Sequence, residues 1–437
     1  MRDYFSISDI ESINRLIFVR DISFDWELVL KWLKNLIIGN YSCILVPEKI
    51  RHFKTGSDFE QIFKFMKRIL LFLPAILALS FISCSKNEDV PVEEGIKMSY
   101  TNRTPYSESK PESGKKGEYS FTTSAMRLNF FGSKHEECYQ FSVDFPADHK
   151  KYRAAYLTYT MCGWGEGPAD WDMTTIISIK NKADGKWYEF VRGFTPYGGS
   201  FSASWSKNYY LDITEFLPMM EDKTDFNIYY CGWDATETKA HAVKLGFDFF
   251  EGTPEKNTIF TAKVYDSSEN SIPEYRRCWP YGCDGYSIED NSRLGKRTVK
   301  IPAGVKSAEV RVDITGHGMD PGVFPNRKGY TTRNAAEFDY NYYTVIFNGK
   351  ELDKRGYIFE SNEDNYKQAG TYYYDRAGWG PGKMANVQYW EITNIPAEGT
   401  EITLDFNLEE FKSYINDPNT DSNAYYIIET DIFGFDN

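Results

Sequence analysis

FPADHKKYRAAYLTYTMCGWG (residues 145–165) and IPAGVKSAEVRVDITGHG (residues 301–318) are two versions of one pattern, a Pro-Ala turn, a polar stretch and an alternating run. In the second copy Ala308, Val310, Val312 and Ile314 alternate with Glu309, Arg311 and Asp313. Alternation with period two puts the apolar set on one face of a strand and the charged set on the other. A half-buried strand is therefore expected, with its charges in solvent. A second landmark follows each run: YYLDITEF (209–216) and QYWEITNI (388–395). One strand order used twice implies two similar sandwiches in tandem, divided near 252–262.

The same period recurs along the chain. In ECYQFSVDF, Tyr139, Phe141, Val143 and Phe145 share a face; in EITLDFNL, Ile402, Leu404 and Phe406 alternate with Thr403, Asp405 and Asn407. Asp184-Gly185, Asn348-Gly349 and Glu251-Gly252-Thr253-Pro254 are turn signals between such runs. Helix signals are short, as around EFLPMME and LEEFKSYI. The expected fold is all-β: two antiparallel sandwiches side by side. The second copy is longer between landmarks, and its surplus falls in loops near 317–336 and 355–380, where a rigid sandwich tends to carry function.

The chain has 437 residues, room for two or three domains, and a net charge of −13. Acids and bases are interspersed, with no basic stripe to neutralise phosphates, which argues against a nucleic-acid partner. Aromatic residues make up 17% of the sequence, a composition suited to sheets and to surfaces that stack on sugar rings. The five histidines, 52, 135, 149, 241 and 317, show no HxH or HExxH spacing, so no metal centre and no cofactor is expected. No GxSxG elbow and no phosphate-cradling glycine loop is present.

Near the N-terminus, Met66-Lys67-Arg68 precedes ILLFLPAILALSFIS and then Cys84. A basic segment, an apolar core of 15 residues and a small residue before cysteine make a secretory signal. The apolar run is shorter than the roughly 20 residues a membrane span needs. Phe81-Ile82-Ser83-Cys84 resembles a bacterial lipobox, which implies cleavage before Cys84, acylation of its thiol and an outer-membrane or cell-surface location. Ser85-Lys86-Asn87-Glu88-Asp89 resembles an acidic surface-export tag. The expected organisation is an extension unrelated to the fold at 1–65, a signal peptide at 66–83, a flexible linker at 84–115 and β-sandwiches at 116–255 and 256–437. The linker assignment rests on the Ser, Lys, Glu and Pro of YTNRTPYSESKPESGKKGE (100–118). In an oxidising compartment Cys278-Trp-Pro-Tyr-Gly-Cys283 reads as a disulfide around a tight turn. Nothing in the sequence points beyond a monomer.

Four stretches set a charged group beside an aromatic ring: Trp164 through Trp171-Asp172, Tyr229 through Trp233-Asp234, Ala335-Ala336-Glu337-Phe338, and Asp375-Arg376-Ala377-Gly378-Trp379. Chemistry on sugars wants that pairing, carboxylates for proton transfer, rings for stacking and an arginine to orient a carbonyl or carboxylate. His317, within TGHGMD, is a further candidate by its place in the repeat.

From about 118 onward the chain resembles the peptide-N-glycosidase F family of glycoamidases. The motifs are DRAGW (375–379) followed by Pro381-Gly382, Trp171-Asp172, NKADGKWYEFVRGFTPY (181–197), FDFFEGTP (247–254), TGHG (315–318) and Ala336-Glu337-Phe338, in the family's order. The resemblance implies two eight-stranded antiparallel jelly rolls with the active site in the cleft between them. It implies hydrolysis of the amide joining asparagine to the first N-acetylglucosamine of an N-linked glycan on a peptide or glycoprotein, without metal. It assigns the principal aspartate to Asp172, the essential glutamate to Glu337 and the active-site arginine to Arg376. Trp171, Cys231, Trp233, Asp234, His317, Phe338 and Trp379 are the residues expected around the substrate.

Several positions depart from the family pattern. Cys231 replaces a family acid, leaving Asp234 or Glu166 to supply that charge or the site rebuilt for another glycan core. Met173 replaces an arginine, Phe338 and His317 replace tryptophans, and Ala335 and Gly380 stand where the family has cysteines. Cys162 and Cys231 are expected close enough to pair. With the acid at 231 lost, the alternative is a glycan-binding or adhesion lipoprotein that performs no catalysis.

Overall fold

Alternating sequence builds most of the described chain into antiparallel strands. The structure is a computed structural model that describes residues 95–128, 138–230, 235–236, 238–267, 280–281, 295–318, 323–325, 331–333, 337–338, 340–408 and 425–437. Cys84, Cys231, Trp233, Asp234, Cys278 and Cys283, with everything expected of them, lie outside those residues. The strands of the first half are β1 (Lys97–Thr101), β2 (Tyr119–Thr122), β3 (Met126–Leu128), β4 (Cys138–Asp144), β5 (Tyr152–Gly165), β6 (Thr174–Lys180), β7 (Trp187–Phe194), β8 (Ser206–Asp212), β9 (Lys223–Tyr230) and β10 (Lys239–Glu251). Those of the second are β11 (Thr258–Tyr265), β12 (Pro280–Tyr281), β13 (Arg297–Ile301), β14 (Ser307–His317), β15 (Val323–Pro325), β16 (Thr331–Arg333), β17 (Asn341–Phe347), β18 (Lys350–Ile358), β19 (Gln388–Thr393), β20 (Thr400–Leu408) and β21 (Tyr425–Phe435).

The internal repeat in the sequence is a repeat in topology. One half has sheets ordered β2-β10-β5-β8 and β4-β9-β6-β7; the other has β1-β19-β14-β21-β11 and β13-β20-β17-β18. The quoted runs become β5 and β14, each central in its sheet and flanked by equivalent strands, β8 and β10 or β19 and β21. Each pair of sheets encloses its own core. The first holds Leu157, Ile177, Phe190, Phe226 and Phe247; the second holds Val310, Val345, Trp390, Phe406 and Ile432. Burying such a side chain is worth about 1.5–3 kcal/mol, so these inward faces set the register. Between β17 and β18, Asn348 and Gly349 have φ of 51° and 76°, as a two-residue hairpin turn requires.

Two expectations are corrected here. The charged face of β14 does not meet solvent: Arg311 is 4% exposed and Asp313 is 0% exposed. That face packs on β7 of the other jelly roll. Arg192 reaches Asp313 at 3.2 Å and Glu189 at 2.6 Å. It also donates to the Thr315 hydroxyl at 2.7 Å, while Arg311 donates to the Glu189 carbonyl at 3.1 Å. The alternation was real, but its polar side met countercharges instead of water.

The second correction concerns the linker. Part of 84–115 is ordered: β1 pairs with the edge of β19 from Lys97 to Thr101. Arg103 then forms ion pairs with Glu215 of the first jelly roll, at 3.1 Å, and Glu309 of the second, at 2.6 Å. Ser107 exchanges two backbone hydrogen bonds of 2.8 Å with Tyr210 on β8. An open sheet edge and two acids needing a cation give this polar segment a fixed path.

Candidate active site

Asp172 lies in the loop from β5 to β6, just before β6 begins. Its neighbour Met173 is fastened to Thr195: the Met173 amide donates to Thr195 Oγ1 at 2.8 Å, and the Thr195 amide donates back to the Met173 carbonyl at 2.9 Å. The carboxylate thus projects from a peptide fixed by hydrogen bonds. Glu337 sits between β16 and β17, where its Oε2 accepts from the Gly318 amide at 3.3 Å. Its carbonyl accepts from the Ala377 amide at 2.8 Å, tying it to the loop that carries Arg376.

That loop, between β18 and β19, has no regular structure, and buried amide side chains hold it. Asn362, with no exposed surface, donates to the carbonyls of Tyr374 and Trp379, both at 3.1 Å. Its own amide donates to Asp375 Oδ1 at 2.9 Å. Asn365 and Gln368 both donate to the Pro381 carbonyl, at 2.9 and 2.8 Å. A Cβ at Gly380 would lie 2.0 Å from Asn362 Oδ1, so the space of the expected family cysteine is filled by this carboxamide. Gly378 has φ of +79° and its backbone passes close to the Ile314 carbonyl, an approach only glycine permits.

The three charged groups converge. Arg376 Nε donates to Glu337 Oε1 at 3.0 Å, and Nη2 reaches Asp172 Oδ2 at 3.5 Å. Nη2 also donates to the hydroxyls of Tyr197 and Thr371, each at 3.2 Å, and Nη1 to the carbonyls of Thr371 and Tyr374, each at 3.0 Å. The guanidinium lies 4.8 Å from the Trp379 ring centre and 5.1 Å from that of Phe338, a cation–π setting on both rings. Asp172 and Glu337 border a cleft of about 630 Å³, also lined by Trp171, Met173, Tyr197, His317, Phe338 and Trp379, while Arg376, with no exposed surface, bridges the two carboxylates from behind that lining. Trp171 keeps 48% of its surface exposed at this cleft.

Burial dominates the electrostatics. It raises the Asp172 carboxyl from 3.8 to about 7, with the Glu337 charge adding to the rise and Arg376 opposing it. Burial also raises Glu337, again against Arg376. Arg376 itself is held more firmly charged by its two carboxylates against the cost of burial. His317 is depressed by burial and by the nearby Arg192 and Arg376, so its imidazole is neutral. Its Nε2 is 2.9 Å from Thr315 Oγ1, and its ring stacks at 5.5 Å on Trp379. A buried carboxyl titrating near neutrality beside a permanent cation can take and return a proton while the cation stabilises negative charge.

Of the residues singled out in the sequence, Trp171, Asp172, His317, Glu337, Phe338 and Trp379 thus line one cleft, and Arg376 is buried against its two carboxylates. Cys162 lies on β5 as a free thiol 3.5 Å from the Ala242 carbonyl; Cys231, its suggested partner, lies outside the described residues. Among the described residues no cluster of three His, Cys, Asp or Glu is arranged to hold a metal. Sequence reasoning missed Tyr197, whose hydroxyl meets Arg376 and hydrogen-bonds Asp172. It ended a quoted motif but carried no charge to mark it. The staples Asn362, Asn365 and Gln368 read as ordinary loop polarity and left no signal.

No family model matches the chain. Over 310 residues it is 26% identical to peptide-N(4)-(N-acetyl-β-D-glucosaminyl)asparagine amidase F of Elizabethkingia miricola, covering 69% of this chain and 79% of that protein. Its fold is similar to a crystal structure of peptide-N(4)-(N-acetyl-β-D-glucosaminyl)asparagine amidase, with TM-score 0.56, 21% identity, and coverage of 72% of this chain and 96% of that one. It is equally similar to the structure of PNGase F, described as a glycosylasparaginase from Flavobacterium meningosepticum, with TM-score 0.56, 21% identity, and coverage of 73% and 96%. At these identities the likeness to solved structures establishes the pair of β-sandwich domains.

Proposed function

The chain is related in sequence and fold to the peptide-N-glycosidase F family, and from that kinship we propose that it is a glycoamidase acting on N-glycosylated peptides or glycoproteins. The bond broken is the side-chain amide between asparagine and the first N-acetylglucosamine. Water adds to the amide carbon and the glycosylamine leaves. Asparagine becomes aspartate, and the glycosylamine loses ammonia in water.

The observation that carries this reading is that Asp172 of one jelly roll and Glu337 of the other line a single aromatic-walled cleft, bridged by the buried Arg376. Asp172 has the affinity for a proton that a general base needs near neutral pH. It draws a proton from the attacking water and returns it to the departing nitrogen. Arg376 offers positive charge to the oxyanion of the tetrahedral intermediate. Glu337, fixed by Arg376 and the Gly318 amide, orients water or substrate. General acid–base help of this kind contributes about 10² to 10⁴ in rate, or roughly 3–5 kcal/mol of barrier.

The signal-like segment ending at Cys84 supports a second part of the proposal, that the enzyme is displayed on the outer membrane or cell surface by a lipid on that cysteine and acts there as a monomer. Glycopeptide incubated with the wild type and with Asp172→Asn tests the activity. Glycan release by the wild type alone supports the enzyme. Saturable glycan binding without release would leave a glycan-binding lipoprotein on the same scaffold.

A further inference from the structure

His241 is on β10, beyond the cleft wall, and is 1% exposed. It does not line the cleft. Its Nε2 lies 3.0 Å from the backbone carbonyl of Trp171, the peptide that leads into Asp172. That carbonyl has a second contact, at 3.4 Å from Thr195 Oγ1, the hydroxyl that also holds the Met173 amide. Two groups from different strands therefore grip the peptides on either side of Asp172, Thr195 just past β7 and His241 on β10. Burying an imidazole without a partner costs free energy, and here the ring places its partner bond on the one backbone segment that aims the catalytic carboxylate. With its protonation depressed to about 4 by burial, the ring is neutral at working pH and donates through Nε2–H to the carbonyl.

We propose that His241 is a positioning residue for Asp172: its hydrogen bond to the Trp171 carbonyl sets the rotation of the 171–172 peptide and so the distance of the Asp172 carboxylate from Arg376. The inference rests on the glycoamidase reading for its effect on rate, but not for its effect on geometry. Asp172 projects from a loop whose backbone would otherwise turn about the Trp171–Asp172 link, and misplacement of a reacting group by about 1 Å can cost 10²-fold in rate.

The test uses three variants of the full chain. His241→Leu removes the donor and keeps the site apolar. His241→Gln puts an amide N–H near the former Nε2. Val243→Ala, two residues along on the same buried face of β10, opens a core cavity as a stability control. For glycopeptide hydrolysis, His241→Leu is expected to lower kcat by about 10- to 100-fold with KM little changed. His241→Gln should recover most of that loss, and Val243→Ala should lower the urea midpoint while sparing kcat. Equal loss of kcat in His241→Leu and Val243→Ala, or no loss in His241→Leu while the wild type is active, overturns the inference. If the wild type releases no glycan, the glycoamidase reading fails on its own, and crystal structures decide the positioning. In His241→Leu the separation of Asp172 Oδ2 from Arg376 Nη2 should depart from 3.5 Å, and an unmoved carboxylate rejects the role.

Discussion

Replacing Asp172 by asparagine should silence the protein and stabilise it. The side chain is 4% exposed, and burial holds its proton to about pH 7, whereas in the unfolded chain it leaves near 3.8. Between those values the unfolded state binds fewer protons than the native one, so stability falls as pH rises. The full cost is present above the native value and vanishes below the unfolded one. At 1.36 kcal/mol per pH unit the ionised Asp172 costs the native state about 4 kcal/mol at pH 8. Asparagine is neutral at every pH and avoids that cost, while Arg376 keeps Glu337 as its partner at 3.0 Å. Urea unfolding of both proteins from pH 4 to pH 8 should show Asp172→Asn more stable by up to about 4 kcal/mol at the alkaline end, with the gain shrinking toward pH 4. A variant that is less stable than wild type at pH 8, or a gain independent of pH, would refute the claim that burial strains this carboxylate.

The same proton governs rate. Since general-base action needs ionised Asp172, kcat/KM should fall on the acid side of about pH 7 by about tenfold per pH unit, and a profile flat from pH 5 to 8 would exclude Asp172 as the base. Arg376→Met leaves two buried carboxylates without their cation, a loss of about 3–5 kcal/mol where both stay ionised; urea midpoints should show a larger deficit at pH 8 than at pH 5, with activity lost. Trp171→Ala removes a half-exposed ring at the cleft and should reduce kcat/KM by roughly 2- to 10-fold, the size of a stacking contact of about 0.5–1.5 kcal/mol, with little change in unfolding midpoint.

Period-two alternation made the strands legible because each inward face is a contiguous apolar set, and the repeated landmarks gave the tandem arrangement. What alternation cannot say is what faces the other side of a strand. Arg311 and Asp313 looked like solvent charges, yet they bury against Arg192 and Glu189 of the partner sandwich. Residues 97–101 were hidden by a linker-like composition, because their strand is completed by the edge of β19 rather than by their own hydrophobicity. At the site, Asp172, Glu337 and Arg376 lay in stretches that pair charge with aromatic rings, and the resemblance to the glycoamidase family singled them out. Their supports did not stand out. Tyr197, Asn362 and His241 act through hydrogen bonds to groups up to 179 positions away in sequence, and no local pattern encodes such a partner.

The most direct measurement is mass spectrometry of a purified glycopeptide after incubation in heavy-oxygen water. Glycoamidase action by Asp172 requires free glycan and a peptide whose glycosylated asparagine has become aspartate bearing the heavy oxygen, with Asp172→Asn inert. Release of glycan with the asparagine intact, or equal conversion by wild type and Asp172→Asn, would contradict it.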